Sequence, residues 1–230
     1  MEGDATVVTI DGPAGAGKST VSRLVAKRLG LTYLDTGAMY RAVALAVRAN
    51  GIDPEDHDSL AALCDRLEIS FDNTHDPPRI LLNGRDVSQE IRTPEIDMLA
   101  SRVSAVRPVR QAMTHLQRKV AGHTEGVVAE GRDMGTVVFP WAQWKFFLTA
   151  TLEERVRRRY QELVQRGEKV RKNGIAKDIK RRDEQDTKRA LAPLRPAEDA
   201  IIIDTTKLTI EQVVDKICGI VQSEIGQSKK

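Results

Sequence analysis

The chain has 230 residues, a length that favours one domain with an insertion. Hydrophobic residues make up 40% and charged residues 30%, which is typical of a globular protein. Cys64 and Cys218 lie far apart and form no CxxC pair, which excludes a disulfide scaffold or a zinc knuckle. No apolar run reaches the roughly 18 residues of a membrane span. The acidic start, residues 1–4, lacks the regions of a secretory signal. We therefore expect a soluble, cytoplasmic protein with no membrane partner.

The net charge of +3 is too small to indicate a nucleic-acid partner, but the charge is unevenly distributed. Residues 152–189 contain fourteen Lys and Arg against eight Asp and Glu, a local charge of +6 that leaves −3 for the rest. Such a run is either a solvated helix face or a segment that meets an anionic ligand. Composition alone leaves both interpretations open.

Apolar, strand-like stretches alternate along the chain with amphipathic, helix-like ones. Strands are predicted at residues 5–11, 32–34, 127–130, 145–149 and 200–204. Helices are predicted at residues 19–29, 40–49 and 210–225. This alternation predicts an α/β fold with a parallel sheet covered by helices on both faces.

One segment interrupts the alternation. Residues 69–71 and 80–82 read as strands, and Asn83-Gly84 is a strong signal for a type I′ hairpin. A local antiparallel patch inside a parallel α/β protein indicates an inserted subdomain, at residues 63–104.

A phosphate-binding loop follows the first predicted strand and precedes the first predicted helix. It matches G-x-x-x-x-G-K-[ST] at every position, with Gly12, Pro13, Ala14, Gly15, Ala16, Gly17, Lys18 and Ser19. Its amides and the helix dipole favour phosphate, while Lys18 can reach the β- and γ-phosphates and Ser19 can ligate Mg²⁺. The motif predicts that this protein binds a nucleoside triphosphate.

Two large classes of triphosphate-binding protein do not fit. A regulatory GTPase carries an N-K-x-D-type guanine reader, and none of the four asparagines begins one. A motor or helicase ATPase usually closes an apolar strand with acidic residues, whereas the predicted strand 145–149 continues into Ala150-Thr151. A small phosphotransferase with an acceptor site remains.

Three arginine-bearing segments are expected at strand ends or turns. The first two carry Thr36 with Arg41, and Arg132 with Asp133; the third closes the basic segment with Arg182, Asp186 and Arg189. Each alone has a structural explanation, as a surface residue, a local ion pair or a solvated face. Together they are what phosphoryl transfer needs, since planar cations must be fixed around two phosphates with water excluded.

In order along nearly the whole chain, these motifs resemble the bacterial cytidylate kinases, which have the nucleoside monophosphate kinase fold. The resemblance is carried by residues 12–20, 34–41, 83–93, 130–140 and 182–194. It implies a P-loop fold with a five-stranded parallel sheet wrapped by helices, in which residues 1–62, 105–151 and 190–230 form the core. Residues 63–104 would form an antiparallel monophosphate-binding insert, and residues 152–189 a basic helical lid.

The resemblance also implies a role for individual residues. Lys18, Arg132 and Arg182 would be catalytic, residues 12–20 including Thr20 would bind ATP, and Ser19 would bind the metal. The implied CMP-binding residues are Arg41 and Arg132 at the acceptor phosphate, Thr36, Arg110, Asp133 and Arg189 at the pyrimidine, and Ser101, Arg182 and Asp186 at the sugar.

Two of the four implied pyrimidine-binding positions bear on the choice of base. Thr36 stands where the bacterial enzymes have serine, which keeps the hydroxyl and adds a methyl group. The carboxylate of Asp133 would accept from the cytosine amino group and would oppose the uracil carbonyl.

The expected activity is therefore transfer of the γ-phosphoryl group of ATP to CMP or dCMP with Mg²⁺, by a monomer without a nucleic-acid partner. Two alternatives stay open at this stage. One is the same fold with another small acceptor, such as UMP, AMP or shikimate. The other is a non-enzymatic protein that binds nucleic acid through its basic segment.

Overall fold

The computed structural model of the chain describes residues 5–227, and the side chains of residues 5–223. The acidic N-terminal residues 1–4, which entered the expectation of a cytoplasmic protein, lie outside this range. The chain forms two compact units. The first consists of the described residues up to 34, residues 121–188 and the described residues from 192 onwards, and the second of residues 35–120 and 189–191.

The described residues form a mixture of strands and helices. The strands are β1 (Thr6–Asp11), β2 (Thr32–Asp35), β3 (Ile69–Asp72), β4 (Arg79–Leu82), β5 (Arg85–Asp86), β6 (Gly126–Gly131), β7 (Trp144–Thr149) and β8 (Ile201–Asp204). The α-helices are α1 (Lys18–Leu29), α2 (Thr36–Ala49), α3 (His57–Cys64), α4 (Pro94–Val103), α5 (Arg107–Gly122), α6 (Leu152–Gln165), α7 (Lys172–Lys188) and α8 (Ile210–Gln227). A short π-helix spans Met134–Val138.

The first unit is built on a five-stranded sheet in the order β2-β6-β1-β7-β8. Strand β1 pairs in parallel with β6 and β7, and β7 pairs in parallel with β8, so the predicted five-stranded parallel sheet is confirmed. In the register of β1 and β6, Asp11 lies opposite Gly131. The phosphate loop after Asp11 and the Arg132-Asp133 turn after Gly131 therefore leave the sheet side by side.

The core of this unit lies between the sheet and helices α1 and α8. Apolar side chains of all three regions form one buried cluster, which includes Ile10, Val25, Phe146, Leu148 and Ile217. This packing anchors β1 and α1 on either side of the phosphate loop, because both flanking elements are held by buried side chains.

The basic segment forms helices α6 and α7 of the first unit. A small apolar cluster joins them through Val156, Leu163, Ile175 and Ile179. Much of the charge on α6 is paired along the helix itself, since Glu154 contacts Arg157 and Arg158, and Glu162 contacts Arg159 and Arg166. These i,i+3 and i,i+4 pairs are the pattern of a solvated helix face.

The second unit contains helices α2 to α5 and a three-stranded antiparallel sheet in the order β3-β4-β5. Leu82 pairs with Arg85, and the two residues between them, Asn83 and Gly84, have φ angles of 49° and 77°. Two successive positive φ angles are the signature of a type I′ turn, so the predicted hairpin is confirmed. The predicted insert, residues 63–104, lies within this unit, and its boundaries stay a prediction.

Helix α2 begins four residues before the predicted start. The carboxylate of Asp35 accepts a hydrogen bond of 2.7 Å from the amide of Ala38, so it caps the helix and lets it start at Thr36. Consequently Thr36 and Arg41 lie in the first two turns of α2 and not in a loop. Among the described residues, no helix is long and apolar enough to span a membrane.

Candidate active site

The phosphate loop closes tightly against the sheet. A Cβ atom at Gly12 would lie 2.1 Å from the carbonyl oxygen of Leu148, so the close approach of the loop to β7 requires glycine there. Gly17 adopts a φ angle of 91° and directly precedes α1. Lys18, Ser19 and Thr20 therefore lie in the first turn of α1. The positive end of the helix dipole at this turn favours the binding of anions.

Lys18 is folded back over this loop. Its ammonium donates a hydrogen bond of 2.9 Å to the carbonyl oxygen of Pro13, and the side chain is buried. Burial and the neighbouring Arg132 lower the pKa of Lys18 to about 7, against the opposing pull of Glu130 and Asp11. A cation with so little solvent around it gains more from an anion than an exposed lysine does.

Ser19 contacts a carboxylate that the sequence analysis did not assign. Its hydroxyl donates a hydrogen bond of 3.1 Å to Oε2 of Glu130, and the hydroxyl of Tyr33 donates to Oε1 of the same carboxylate. Glu130 is buried near the end of β6, the strand next to β1. An apolar strand that ends in an acidic residue is therefore present next to β1, at residues 127–130, although the predicted strand 145–149 has none.

Asp11 links the phosphate loop to the turn that carries Arg132 and Asp133. Its two carboxylate oxygens accept hydrogen bonds from the amides of Met134, at 2.9 Å, and Gly135, at 2.8 Å. These amides begin the π-helix, which the sequence analysis did not predict. Burial raises the pKa of Asp11 to about 7, although both backbone hydrogen bonds favour the charged form.

The predicted acceptor residues of the first unit form a second cluster. The Nε atom of Arg132 donates a hydrogen bond of 2.7 Å to the buried carboxylate of Asp186, on α7. Burial opposes the charge of Arg132, but the carboxylates of Asp186, Asp183 and Glu130 outweigh it and raise its pKa. Arg182 lies on α7 one turn before Asp186 and is half-buried. Asp133 is also buried, at 2% exposure.

Helices α6 and α7 also contact the phosphate loop, through Arg155, Arg158 and Asp183. Arg155 donates hydrogen bonds to the carbonyl oxygens of Ala14, at 3.0 Å, and Ala150, at 3.1 Å. Asp183 pairs with Arg155 and accepts from the amide of Ala14 at 3.2 Å. Arg155 and Arg158 are thus inward-facing cations of the basic segment, since Arg158 donates to the carbonyl oxygen of Ala16 at 3.4 Å. Arg157 and Arg166, in contrast, are exposed.

The predicted acceptor residues of the second unit form a separate arrangement. Arg110 is buried, donates to the carbonyl oxygen of Ser104 at 3.1 Å, and places its guanidinium 5.7 Å from the ring centre of Tyr40. Arg189 donates to the hydroxyl of Ser104 at 3.5 Å, and that hydroxyl donates to the carbonyl oxygen of Ser101. Ser104 thereby brings Ser101, Arg110 and Arg189 together.

Arg41 and Thr36 lie on the adjoining helix of the same unit. Arg41 faces the carboxylates of Asp35, at 3.5 Å, and Asp97, at 3.7 Å. Thr36 is buried one turn before Tyr40, whose ring faces Arg110. The second unit therefore presents cations held by carboxylates and serines, and the first unit presents Arg132 and Arg182 beside Asp186.

No group of three or more histidine, cysteine, aspartate or glutamate side chains within residues 5–223 is arranged to bind a metal ion. Next to the phosphate loop, the hydroxyl of Ser19 and the carboxylate of Glu130 form a pair of oxygen ligands. Hydroxyl and carboxylate oxygens are the ligands that Mg²⁺ prefers, and two protein groups are enough because phosphates and water complete its shell. These two residues therefore fit a magnesium ion.

Comparison with known proteins agrees with this chemistry. The sequence profile of the cytidylate kinase family matches residues 8–223. A cytidylate kinase of Geobacter sp. strain M21 is 51% identical over 227 residues, covering 99% of this chain and 97% of that protein. A cytidylate kinase of Vibrio cholerae is 46% identical over 225 residues, covering 98% and 100%. A crystal structure of an uncharacterised protein from Eubacterium ventriosum shares the fold, with a TM-score of 0.51 at 12% identity and coverage of 95% and 98%.

Proposed function

Because this chain belongs to the cytidylate kinase family, we propose that it transfers the γ-phosphoryl group of ATP to CMP and dCMP, giving ADP and CDP or dCDP. The observation that carries the proposal is the register of β1 and β6. Asp11 lies opposite Gly131, so a phosphate loop and an arginine-bearing turn leave two neighbouring strands at the same level. Donor and acceptor phosphates both need cations at one edge of the sheet, and this arrangement supplies them.

On the donor side, the loop amides of residues 14–17 and the start of α1 bind the phosphates of ATP. Lys18 leaves the carbonyl oxygen of Pro13 and follows the β- and γ-phosphates, because a buried ammonium gains most from a strong anion. Ser19 and Glu130 would hold Mg²⁺, which when bound neutralises charge on the phosphate oxygens.

On the acceptor side, Arg132 and Arg41 bind the phosphate of CMP. A guanidinium has five N–H donors, so Arg132 can bind phosphate while its Nε stays on Asp186. Arg182 adds charge from α7, and the ribose is bound by Ser101, Arg182 and Asp186. No covalent intermediate is needed, since the acceptor oxygen is already a nucleophile once its charge is screened.

The base is read by Thr36, Arg110, Asp133 and Arg189. Asp133 accepts from the amino group of cytosine and meets the carbonyl of uracil with like polarity, which disfavours UMP. Arg110 and Arg189 are held by Ser104, so their donors keep a fixed direction. The threonine at position 36 supplies the hydroxyl that the site needs.

We also propose that the enzyme acts as a monomer in the cytoplasm, on small-molecule substrates alone. The pairing of Arg157, Arg158, Arg159 and Arg166 with glutamates of the same helix supports the absence of a nucleic-acid partner, because it neutralises cations that nucleic acid would otherwise meet. Analytical ultracentrifugation and a salt titration with single-stranded RNA test both statements. A stable dimer, or steeply salt-dependent RNA binding, would contradict them.

The decisive experiment is a coupled ADP-release assay with Mg-ATP and a panel of CMP, dCMP, UMP, AMP, GMP, dTMP and shikimate. We expect strong turnover of CMP and dCMP and weak turnover of UMP. Turnover of another acceptor without CMP would overturn the assignment of the base pocket and leave the phosphate chemistry intact. An absence of turnover on the whole panel would overturn the proposed function.

A further inference from the structure

The hydroxyl group of Tyr33 lies in a short chain of hydrogen bonds that ends at the phosphate loop. Tyr33 donates to Oε1 of Glu130, and Ser19 donates to Oε2 of the same carboxylate. The three residues come from three elements, β2, β6 and α1. Tyr33 belongs to none of the motifs that identify the family, so its role has to be inferred from its contacts.

The direction of these hydrogen bonds determines how Ser19 presents its oxygen. A serine hydroxyl has one proton and two lone pairs. Since the hydroxyl of Ser19 donates its hydrogen bond to Glu130, both lone pairs of its oxygen point away from that carboxylate and are available to a cation. The side chain of Ser19 is also exposed, which leaves room for a ligand.

Tyr33 determines where the carboxylate of Glu130 is held. Glu130 is only 3% exposed, and its negative charge attracts two nearby cations, Lys18 and Arg132. Without a second fixed partner, the carboxylate could rotate towards either cation and away from Ser19. The hydroxyl of Tyr33 fixes Oε1, which keeps Oε2 on Ser19.

We propose that Tyr33 is a positioning residue for the metal and phosphate site, acting through Glu130 on the hydroxyl of Ser19. The inference rests on the proposed function, because it assumes that a metal–nucleotide complex binds at the phosphate loop. Partners of metal ligands of this kind typically change metal affinity by about 10- to 100-fold when they are removed.

The Tyr33→Phe substitution removes the hydroxyl alone. The ring of Tyr33 packs against the buried cluster of the first unit, and phenylalanine keeps that packing. Tyr160→Phe is the matched control, since Tyr160 lies on α6 against the apolar cluster of α6 and α7 and also loses one hydroxyl. Glu130→Gln and the double variant Tyr33→Phe/Glu130→Gln complete a double-mutant cycle.

The measurement is Mn²⁺ binding to the protein–ADP complex by electron paramagnetic resonance, with ADP affinity in EDTA measured in parallel. We expect Tyr33→Phe to weaken Mn²⁺ binding about tenfold and to change metal-free ADP affinity less than twofold. Tyr160→Phe should match the wild type. In the Glu130→Gln background, Tyr33→Phe should have no further effect, because its action passes through that carboxylate.

The proposal is overturned if Tyr33→Phe binds Mn²⁺ within twofold of the wild type, or if it adds its full effect to Glu130→Gln. A loss of ADP affinity in EDTA equal to the loss with Mn²⁺ would also overturn it, because Tyr33 would then support the loop and not the metal. The assay uses no CMP. A wild-type protein that binds Mn-ADP but turns over no monophosphate would therefore refute the proposed function separately.

Discussion

Charged side chains of the first unit behave in opposite ways at the end of the sheet and along α6. At the ends of β1 and β6, burial dominates, raising the pKa of Asp11 to about 7 and, together with Arg132, lowering that of Lys18 to about 7. Along α6, pairing dominates, since hydrogen bonds from Arg157 and Arg158 lower the pKa of Glu154 to about 2. The environment therefore disfavours the charged forms of Asp11 and Lys18 and favours the charged form of Glu154.

The difference indicates where ligand binding can release free energy. A buried ammonium or guanidinium has lost much of its hydration, so a bound phosphate restores an interaction that the protein alone supplies incompletely. An exposed ion pair is already satisfied by its partner and by water, and a ligand adds little to it. Substitutions at the sheet end should therefore change catalysis, whereas substitutions of the exposed arginines of α6, Arg157 and Arg166, should not.

The largest effect is expected for Lys18→Ala. Because Lys18 is buried at the phosphate loop, its removal leaves the transferring phosphoryl group without its nearest cation. We expect kcat to fall roughly 100- to 1000-fold, as for loss of one group that stabilises a transition state. Lys216→Ala, an exposed lysine on α8, is the control and should keep wild-type kcat. Near-normal turnover of Lys18→Ala would contradict the mechanism.

The next largest effect is expected for Arg132→Lys. Lysine keeps the charge but lacks the planar fork that can bind phosphate and Asp186 together. We expect the KM for CMP to rise by about tenfold or more, while ADP affinity changes little. Arg157→Lys makes the same exchange on α6, where Arg157 pairs with Glu154, and should leave both constants within about twofold. Equal effects of the two exchanges would remove the distinction between the regions.

The pH dependence of the stability of the fold should have opposite signs for Asp11 at the sheet end and Glu154 on α6. Folded Asp11 keeps a proton between about pH 4 and 7 that the unfolded chain releases, so its contribution to stability decreases as pH rises through this window. Asp11→Asn should remove a slope of about 1 kcal/mol per pH unit there. Glu154 has a lowered pKa, so it stabilises the fold above about pH 4.5 and loses this contribution as pH falls towards 2.

Urea denaturation of the wild type, Asp11→Asn and Glu154→Gln at intervals from pH 3 to 8 measures both slopes. The difference between wild type and Asp11→Asn should lie mainly between pH 4 and 7, and the difference for Glu154→Gln should lie below pH 4.5. Parallel curves for Asp11→Asn and the wild type would show that Asp11 titrates as an ordinary carboxyl.

The sequence predicted the parts of the fold that depend on local pattern. The strands and helices beside the phosphate loop and the Asn83-Gly84 hairpin follow from hydrophobic periodicity and turn chemistry, and the structure confirms them. Helices α3, α4 and α5 and the π-helix were not predicted. The π-helix depends on a distant acceptor, because its first amides donate to Asp11, 123 residues earlier than Met134. No local pattern encodes such a contact.

The candidate site, like the fold, could be predicted only where it depends on a local sequence pattern. Lys18 and Ser19 can be found from a contiguous motif. Glu130 and Tyr33 come close to Ser19 only because the strands lie in the order β2-β6-β1, which cannot be read from the sequence. Asp183 and Arg155 were hidden inside the basic segment, since only the fold shows which of its charges turn inward. The roles of Thr36, Ser101, Arg110, Asp133 and Arg189 at the base and sugar stay predictions.

The smallest effect is expected for Arg166→Ala at the end of α6. Arg166 pairs with Glu162 four residues earlier, and both side chains are about one third or more exposed. Such pairs stabilise a helix by roughly 0.3–0.5 kcal/mol and are screened by salt. We expect a loss of stability of that size at low ionic strength, none at about 1 M salt, and unchanged kcat and KM. A measurable loss of CMP turnover would show that the outer face of α6 contributes to catalysis, and the contrast drawn from Asp11, Lys18 and Glu154 would then fail.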